Sequence, residues 1–192
     1  MPAPQILIIA GHDPSGAGIH ADIETCAAHR CQAISAITAL TAQNTYAVTA
    51  LNPTPASVLS SQLASILEED YDIAACKIGL VCTAEQVELI NRFLEELISE
   101  SSQTIPIVID PVIQSTSGRE LMPSLAYERY ETELLPHATL MTPNQLEAQT
   151  LSSNTSIEDS GKALCERYNS DVLITGTDAK TNPIEHHLFE SS

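Results

Sequence analysis

Short apolar runs alternate with longer amphipathic segments along the chain, and this alternation constrains its fold more than any other feature. The apolar runs have the composition of buried strands: residues 5–10, 33–40, 74–79, 105–110, 138–142 and 172–176. Between them lie the predicted helices: residues 19–29, 55–69, 83–99, 124–135, 144–151 and 157–168. Strand–helix alternation of this kind is typical of a parallel sheet with helices on both faces. We therefore predict a three-layer α/β/α fold with a central, mostly parallel sheet.

The same pattern predicts a single domain over residues 1–192. The chain has 192 residues, 43% of them hydrophobic, which suits one domain with a sizeable core. No linker rich in Gly, Ser and Pro divides it, and it contains no internal repeat. The helix over 83–99 starts with Thr83 as N-cap and Gln86 three residues later, the spacing of a capping box. A strand-like run over 184–189 follows the last apolar strand.

Charge and cysteine usage limit the classes of partner. The formal net charge is −17, and the 8 Lys and Arg residues are scattered, so we expect no nucleic-acid partner. No apolar run reaches the roughly 18 residues that span a bilayer, and the first residues do not read as a signal peptide. We expect a cytoplasmic protein without a membrane partner. Its five cysteines are expected to be reduced thiols rather than zinc ligands.

A glycine-rich segment, GHDPSGAGIHAD over 11–22, follows the first predicted strand. In parallel sheets ligands bind beyond the carboxyl ends of the strands, and glycines let backbone amides approach a ligand closely. The GAGIHA stretch matches the dinucleotide-binding pattern, but Gln43 and Asn44 stand where that pattern requires an acidic residue. The segment is either a ligand-binding loop or a tight strand-to-helix turn. Asp22 is either a hydrogen-bond acceptor for a substrate or a partner of the helix dipole.

Other strand ends carry polar side chains that suit a small-molecule site. Gln43, in TALTAQNT over 38–45, has an amide that can both donate to and accept from a heterocycle. Asn144 and Glu147 are three residues apart at a predicted helix start and therefore face the same way. With Asp110, which ends another strand, they could hold Mg²⁺ through water, as phosphoryl transfer requires. The alternative is that Glu147 only caps its helix.

Six sequence stretches occur together in the order of one known family. They are IAGHDPSGAGIHADI, ITALTAQNT, KIGL, VIDPVIQSTSG, LLPHATLMTPNQLEA and VLITGTD. Together they resemble the hydroxymethylpyrimidine/phosphomethylpyrimidine kinases of thiamine biosynthesis, which belong to the ribokinase superfamily. The resemblance covers nearly the whole chain. It implies a ribokinase-like fold and an ATP- and Mg²⁺-dependent enzyme that phosphorylates 4-amino-5-hydroxymethyl-2-methylpyrimidine and then its monophosphate.

The resemblance also implies roles for individual residues. The implied pyrimidine-binding residues are Gly11, Asp22, Gln43, Leu80 and Val112, with Leu80 at a position where the family usually has Met. The implied nucleotide-binding residues are Asn144, Thr175 and Gly176, and the implied metal-binding residues are Asp110 and Glu147. Because ribokinase relatives are often dimers, a homodimer is a further expectation. A non-catalytic pyrimidine-binding protein and a pyridoxal kinase-like enzyme remain alternatives.

Three departures from the family pattern modify these expectations. The first loop reads Ser-Gly-Ala-Gly, one glycine shorter than usual, and Thr175 replaces a phosphate-binding lysine of many members. The family's Gly-[Ser/Thr]-Gly-Cys motif has no counterpart, since Gly176 is the last glycine. That motif is expected to supply transition-state amides and a catalytic cysteine, and Cys165 cannot replace it from within a predicted helix. We therefore expect a domain shortened at its C-terminal side, and we assign no catalytic residue.

Overall fold

An eight-stranded sheet forms the centre of the protein. The computed structural model describes residues 2–44, 46–114, 121–176 and 184–191. The strands are β1 (Gln5–His12), β2 (Gln32–Gln43), β3 (Val48–Pro53), β4 (Ile73–Ile78), β5 (Ile107–Ile109), β6 (Leu140–Met141), β7 (Asp171–Ile174) and β8 (His187–Phe189). Their order is β3-β2-β1-β4-β5-β6-β7-β8. The six inner strands pair in parallel, and β3 and β8 are antiparallel edge strands, which confirms the predicted, mostly parallel sheet.

Helices cover both faces of this sheet. The α-helices are α1 (Ile19–Ala28), α2 (Ala56–Glu68), α3 (Ala84–Glu100), α4 (Ser124–Arg129), α5 (Gln145–Ser152) and α6 (Ile157–Tyr168). Strand β1 shows how the two faces are packed, because its side chains alternate between two hydrophobic clusters. Leu7 and Ile9 belong to the large cluster with residues of α2 and α3. Ile8 and Ala10 belong to a smaller cluster with residues of α1. The three-layer α/β/α arrangement is thus confirmed.

The structure differs from the sequence-based prediction in three elements. Strand β3 was not predicted, because its side chains are mostly exposed and show no apolar alternation. Strand β2 continues to Gln43, so this residue lies in a strand paired with Val48 and not in a loop. The helix predicted over 124–135 is divided into α4, a π-helical turn (Tyr130–Leu134) and a 3₁₀ turn (Leu135–His137).

The start of α3 is capped as predicted, but the capping box is incomplete. The Thr83 side chain accepts a hydrogen bond from the Gln86 backbone amide at 3.2 Å. The Gln86 side chain turns inward instead of returning to the cap residue. Its oxygen accepts from Cys82 N at 2.9 Å, and its amide donates to Thr38 O at 2.7 Å and to Thr54 O at 3.0 Å. Gln86 is completely buried and ties α3 to β2 and to the segment before α2.

The parallel register brings the carboxyl ends of the inner strands to one edge of the sheet. A bridge between Asn144 and Thr175 and another between His12 and Gly18 extend this edge beyond the strands. Thr45, residues 115–118 and the end of the VLITGTD stretch (177–178) lie outside the described residues. Within the described ranges, no helix is long and apolar enough to cross a membrane.

Candidate active site

A cavity of about 690 Å³ opens at the edge where the inner strands end. Its walls come from the segments that follow β1, β4, β5, β6 and β7, from the ends of β2 and β4, from the N-terminal half of α1 and from α5. Nine of the ten residues singled out in the sequence line it: Gly11, Asp22, Gln43, Leu80, Asp110, Val112, Asn144, Glu147 and Thr175. We call this space the site cavity. The strand-end analysis and the family resemblance therefore point to one place, although the roles of these residues stay predictions.

Gly176 is the exception among the ten. Its backbone amide donates to His186 Nδ1 at 3.3 Å, so the residue is covered by the segment that leads into β8. A side chain at this position would meet Glu185 O and Ile184, which explains the need for glycine here without a ligand. The predicted role of Gly176 in nucleotide binding has no support from this placement.

The glycine-rich loop between β1 and α1 is held by its own hydrogen bonds. The buried Asp13 carboxylate accepts from the backbone amide and from the hydroxyl of Ser15, both at 2.7 Å. Gly18 has φ +57°, and a β-carbon there would collide with the carbonyl oxygen of Gly11. Only glycine combines this left-handed backbone with such a close approach. The loop is consequently folded into the cavity wall, and α1 begins directly after it.

Gly11, one of the predicted pyrimidine-binding residues, allows a second close contact in the cavity wall. A β-carbon at Gly11 would lie 2.9 Å from Leu80 Cδ2. Leu80 thus packs directly over the backbone of Gly11, and its carbonyl accepts from the hydroxyl of Thr38. Leu80 lines the same cavity as Asp22 and Gln43, so the cavity offers both apolar and polar contacts.

A salt bridge joins two walls of the cavity. Lys77 Nζ lies 2.9 Å from Asp22 Oδ2 and 3.9 Å from Asp110 Oδ2. The shorter distance is a charge-assisted hydrogen bond, whereas the longer one is an ion pair beyond hydrogen-bonding reach. Lys77 therefore lies between a predicted pyrimidine-binding residue and a predicted metal-binding residue.

Sequence reasoning did not identify Lys77 as a site residue. It appeared only as the first letter of the KIGL stretch. The available signal was a lone lysine in the otherwise apolar strand IAACKI, because a cation inside a central strand needs an acidic partner. Its partner, Asp22, is 55 positions away in the sequence, and no local pattern connects the two.

Asn144 and Glu147 form a complete capping box at the start of α5. Asn144 Oδ1 accepts from Glu147 N at 2.9 Å, and Glu147 Oε2 accepts from Asn144 N at 2.8 Å. Glu147 is 7% exposed, and burial, reinforced by the charge of Asp110, raises its pKa from 4.5 to about 7. Burial also raises the pKa of Asp110, against the opposing effect of Lys77. Glu147 therefore caps its helix, as the alternative interpretation predicted. Its carboxylate also lines the same cavity as that of Asp110.

These two carboxylates fit a magnesium ion. Both are held at elevated pKa by desolvation, and Asp110 adds to the shift of Glu147, so a divalent cation would relieve an existing electrostatic cost. Mg²⁺ in phosphate-transfer sites is usually bound by one or two carboxylates, with water and phosphate oxygens completing the shell. In the described part of the chain, no group of three or more His, Cys, Asp and Glu could hold a metal by itself.

Comparison with known proteins assigns the family. The family model described as phosphomethylpyrimidine kinase matches residues 13–191, nearly the whole chain. The chain belongs to the phosphomethylpyrimidine kinase family. The resemblance noted in the sequence is thereby confirmed, together with its ribokinase-like α/β fold. Members of this family are kinases, so the family implies the use of ATP.

Three curated relatives of this phosphomethylpyrimidine kinase family member are 36–37% identical to it over the aligned residues. The hydroxymethylpyrimidine/phosphomethylpyrimidine kinase of Haemophilus influenzae is 36% identical over 178 residues, which cover 90% of this chain and 64% of that protein. The protein of the same name from Aquifex aeolicus is 37% identical over 92% of this chain and 69% of its own length. The chloroplastic thiamine biosynthetic bifunctional enzyme of Arabidopsis thaliana is 37% identical, with 34% of its length covered. The chain thus spans about two thirds, or less, of the relatives it matches first.

Solved structures of the same fold include two kinds of vitamin kinase. The phosphomethylpyrimidine kinase of Clostridium difficile has a TM-score of 0.80 and 30% identity, with 98% of this chain and 85% of that chain covered. The pyridoxal kinase of Staphylococcus aureus in complex with pyridoxal has a TM-score of 0.83 at 25% identity, with 99% and 69% covered. Family membership therefore rests on the sequence matches, since the fold is common to both kinds of kinase.

Proposed function

We propose that this protein takes part in the ATP- and Mg²⁺-dependent phosphorylation of 4-amino-5-hydroxymethyl-2-methylpyrimidine and of its monophosphate. One observation carries the proposal. The residues expected to bind the pyrimidine and those expected to bind metal and nucleotide line one cavity, and Lys77 connects Asp22 on one wall with Asp110 on the other. A site that transfers a phosphoryl group to a ring alcohol needs both groups of residues within a single space.

The pyrimidine half of the proposal rests on hydrogen-bond chemistry. A carboxylate such as that of Asp22 only accepts hydrogen bonds, which suits an exocyclic amine. The amide of Gln43 both donates and accepts, which suits a ring nitrogen beside an amine. Leu80 and Val112 supply apolar contacts for the ring faces in the same cavity. Together these groups would hold the hydroxymethyl group towards the metal side.

The metal and nucleotide half rests on the two carboxylates that line the site cavity, Asp110 and Glu147. Asp110 and Glu147 would hold Mg²⁺, which neutralises the charge of the phosphates when it is bound. Asn144 and Thr175 lie beside them in the cavity wall and would contact the nucleotide. The Thr175 hydroxyl donates to Pro143 O at 3.4 Å, a long bond that a phosphate oxygen can replace.

The proposal is tested by incubating the protein with ATP, Mg²⁺ and the pyrimidine alcohol and measuring both phosphates by mass spectrometry. Calorimetric titration with the alcohol, and separately with Mg²⁺ and a non-hydrolysable ATP analogue, measures the two halves of the site. We expect Asp22→Asn to weaken binding of the alcohol and Glu147→Gln to weaken binding of the metal–nucleotide. Tight pyrimidine binding without either product would favour a non-catalytic binding protein. Tighter binding of pyridoxal than of the pyrimidine alcohol would favour the pyridoxal kinase-like alternative.

We propose in addition that the protein is cytoplasmic and forms a homodimer. No nucleic-acid or membrane partner is included, because a net charge of −17 opposes binding to phosphate-rich surfaces. The mass of the particle by sedimentation equilibrium decides between monomer and dimer. Cell fractionation of the native host decides the location, for which the chloroplastic relatives provide a clear alternative.

A further inference from the structure

Lys77 occupies an unusual position for a cation. It lies in β4, a central strand that pairs with both β1 and β5, and its strand neighbours Cys76 and Ile78 are almost completely buried. Its side chain retains 23% exposure, and its ammonium group lies 3.3 Å from the point that a β-carbon of Gly79 would occupy. A charged group in such surroundings is costly unless it is paired. Packing alone therefore does not explain why a lysine occupies this position.

Lys77 contributes the only lysine or arginine side chain among the described residues that line the site cavity. Its hydrogen bond goes to Asp22 Oδ2 at 2.9 Å, and Asp110 is 3.9 Å away. A carboxylate has about four acceptor positions on its two oxygens, of which Lys77 uses one at Asp22. Among the described residues, no other side chain donates to the Asp22 carboxylate. Asp22 consequently keeps acceptor capacity for an N–H group that enters the cavity.

We propose that Lys77 is a specificity-determining positioning residue, which holds Asp22 as an oriented carboxylate so that the cavity selects an amino-substituted ring over a hydroxy-substituted one. The inference rests on the proposed function, in which Asp22 faces the pyrimidine. An ionised carboxylate accepts from an exocyclic amine, whereas the oxo tautomer of the hydroxy-substituted ring presents an oxygen that only accepts, and the carboxylate has no proton to donate to it. Without the ammonium group, the Asp22 carboxylate loses the hydrogen bond that orients it, and among the described residues no cationic side chain is left between it and Asp110. A carboxylate that is free to rotate makes a weaker hydrogen bond to the amine, and the preference for the amine would fall.

The test measures selectivity and not activity. Dissociation constants of 4-amino-5-hydroxymethyl-2-methylpyrimidine and of its 4-hydroxy analogue are determined by calorimetry for the wild type, Lys77→Met, Lys77→Gln and Lys77→Arg. We expect Lys77→Met and Lys77→Gln to reduce the ratio of the two constants by about tenfold or more, the usual effect of losing a hydrogen bond to a charged group. Lys77→Arg keeps the positive charge and should stay within about threefold of the wild type. Lys162→Met, which removes an exposed lysine paired with Glu158 on α6, is the matched control and should leave the ratio unchanged.

A double substitution separates action through Asp22 from a general loss of structure. In an Asp22→Asn background, Lys77→Gln should no longer alter the ratio, because the residue through which it acts is gone. An unchanged ratio in folded Lys77→Gln, or the same change in both backgrounds, would overturn the inference while the proposed function stands. If the wild type binds neither ring, the proposed function fails first and this inference fails with it. Thermal unfolding of every variant shows which of them are folded.

Discussion

Asn144 and Glu147 each bind the backbone amide of the other, with Oδ1 of Asn144 2.9 Å from Glu147 N and Oε2 of Glu147 2.8 Å from Asn144 N. The pair therefore starts helix α5 and at the same time lines the site cavity. The capping role that the sequence offered as an alternative for Glu147 is observed, and its metal-binding role stays a prediction. A substitution at either residue will consequently affect stability and ligand binding together, and the two effects need separate controls.

Asn144→Ala should lower the free energy of unfolding by about 0.5–2 kcal/mol, the usual cost of losing an N-cap side chain. It should also weaken binding of Mg²⁺ with a nucleotide analogue. Ser156→Ala is the matched control, because Ser156 caps α6 through Asp159 N at 3.0 Å and does not line the cavity. Urea unfolding and calorimetry of both variants check the prediction. Equal stability losses with unequal binding losses are expected, and equal binding losses would contradict the role assigned to Asn144.

The stability of the protein should fall as the pH rises from about 4.5 to about 7. Burial raises the pKa of Glu147 from 4.5 to about 7, so in this range the folded protein keeps a proton that the unfolded chain has lost. The folded state then binds more protons, and the free energy of unfolding decreases with pH, by an amount on the order of 1–3 kcal/mol. The raised pKa of Asp110 acts in the same direction.

Urea unfolding at pH 4.5 and pH 8 measures this dependence, with Glu147→Gln as the comparison. The amide cannot titrate, so the variant should lose less stability between the two pH values, whatever its absolute stability. Mg²⁺ should restore stability to the wild type at pH 8 and have little effect at pH 4.5, since it binds the ionised carboxylates. An identical pH dependence in wild type and variant would show that Glu147 is not the titrating group.

Gly18→Ala should destabilise the protein more than Gly16→Ala. Both glycines have positive φ, +57° for Gly18 and +98° for Gly16, so both variants carry a backbone cost of about 1 kcal/mol or more. Only at Gly18 does the added β-carbon collide with the Gly11 carbonyl oxygen, whereas the space at Gly16 is open. Thermal unfolding should rank the variants in this order. Gly18→Ala should also weaken binding of the pyrimidine alcohol, because Gly11 and Leu80 form the wall that it displaces.

Gln86→Leu should cost about 2–4 kcal/mol of stability. The buried Gln86 side chain makes three hydrogen bonds, and leucine leaves Cys82 N, Thr38 O and Thr54 O without this partner. Gln149→Leu is the control, because Gln149 makes one exposed hydrogen bond to Thr155 O and should change stability by less than about 1 kcal/mol. Denaturant unfolding compares the two. A neutral Gln86→Leu variant would mean that these polar groups find other partners.

Local sequence signals were sufficient for the inner strands and for the edge of the sheet at which the site lies, whereas Leu80, Val112 and Thr175 were assigned through the family resemblance. Apolar runs identified the strands, and the parallel topology then required Asp110, Asn144 and Thr175 to lie at one edge. The same rules could not find β3, because its pairing with β2 and not its own pattern makes it a strand. They also missed the inward turn of Gln86, whose partner Thr38 is 48 positions away. The Lys77–Asp22 salt bridge was not predicted for the same reason, since the two residues are distant in the sequence and only the folded sheet brings them together.

The cavity walls come from segments as distant as Gly11 and Thr175, each attached to a different strand of one parallel sheet. During synthesis on the ribosome, the glycine loop emerges early, but its opposite wall waits for β7 to be translated and paired. On the proposed function, a nascent chain that still lacks β7 would lack one wall of the pyrimidine- and nucleotide-binding site. Ligand binding therefore requires the complete sheet. Binding should slow hydrogen exchange of the backbone amides in every inner strand, and not only in the loops that touch the ligand.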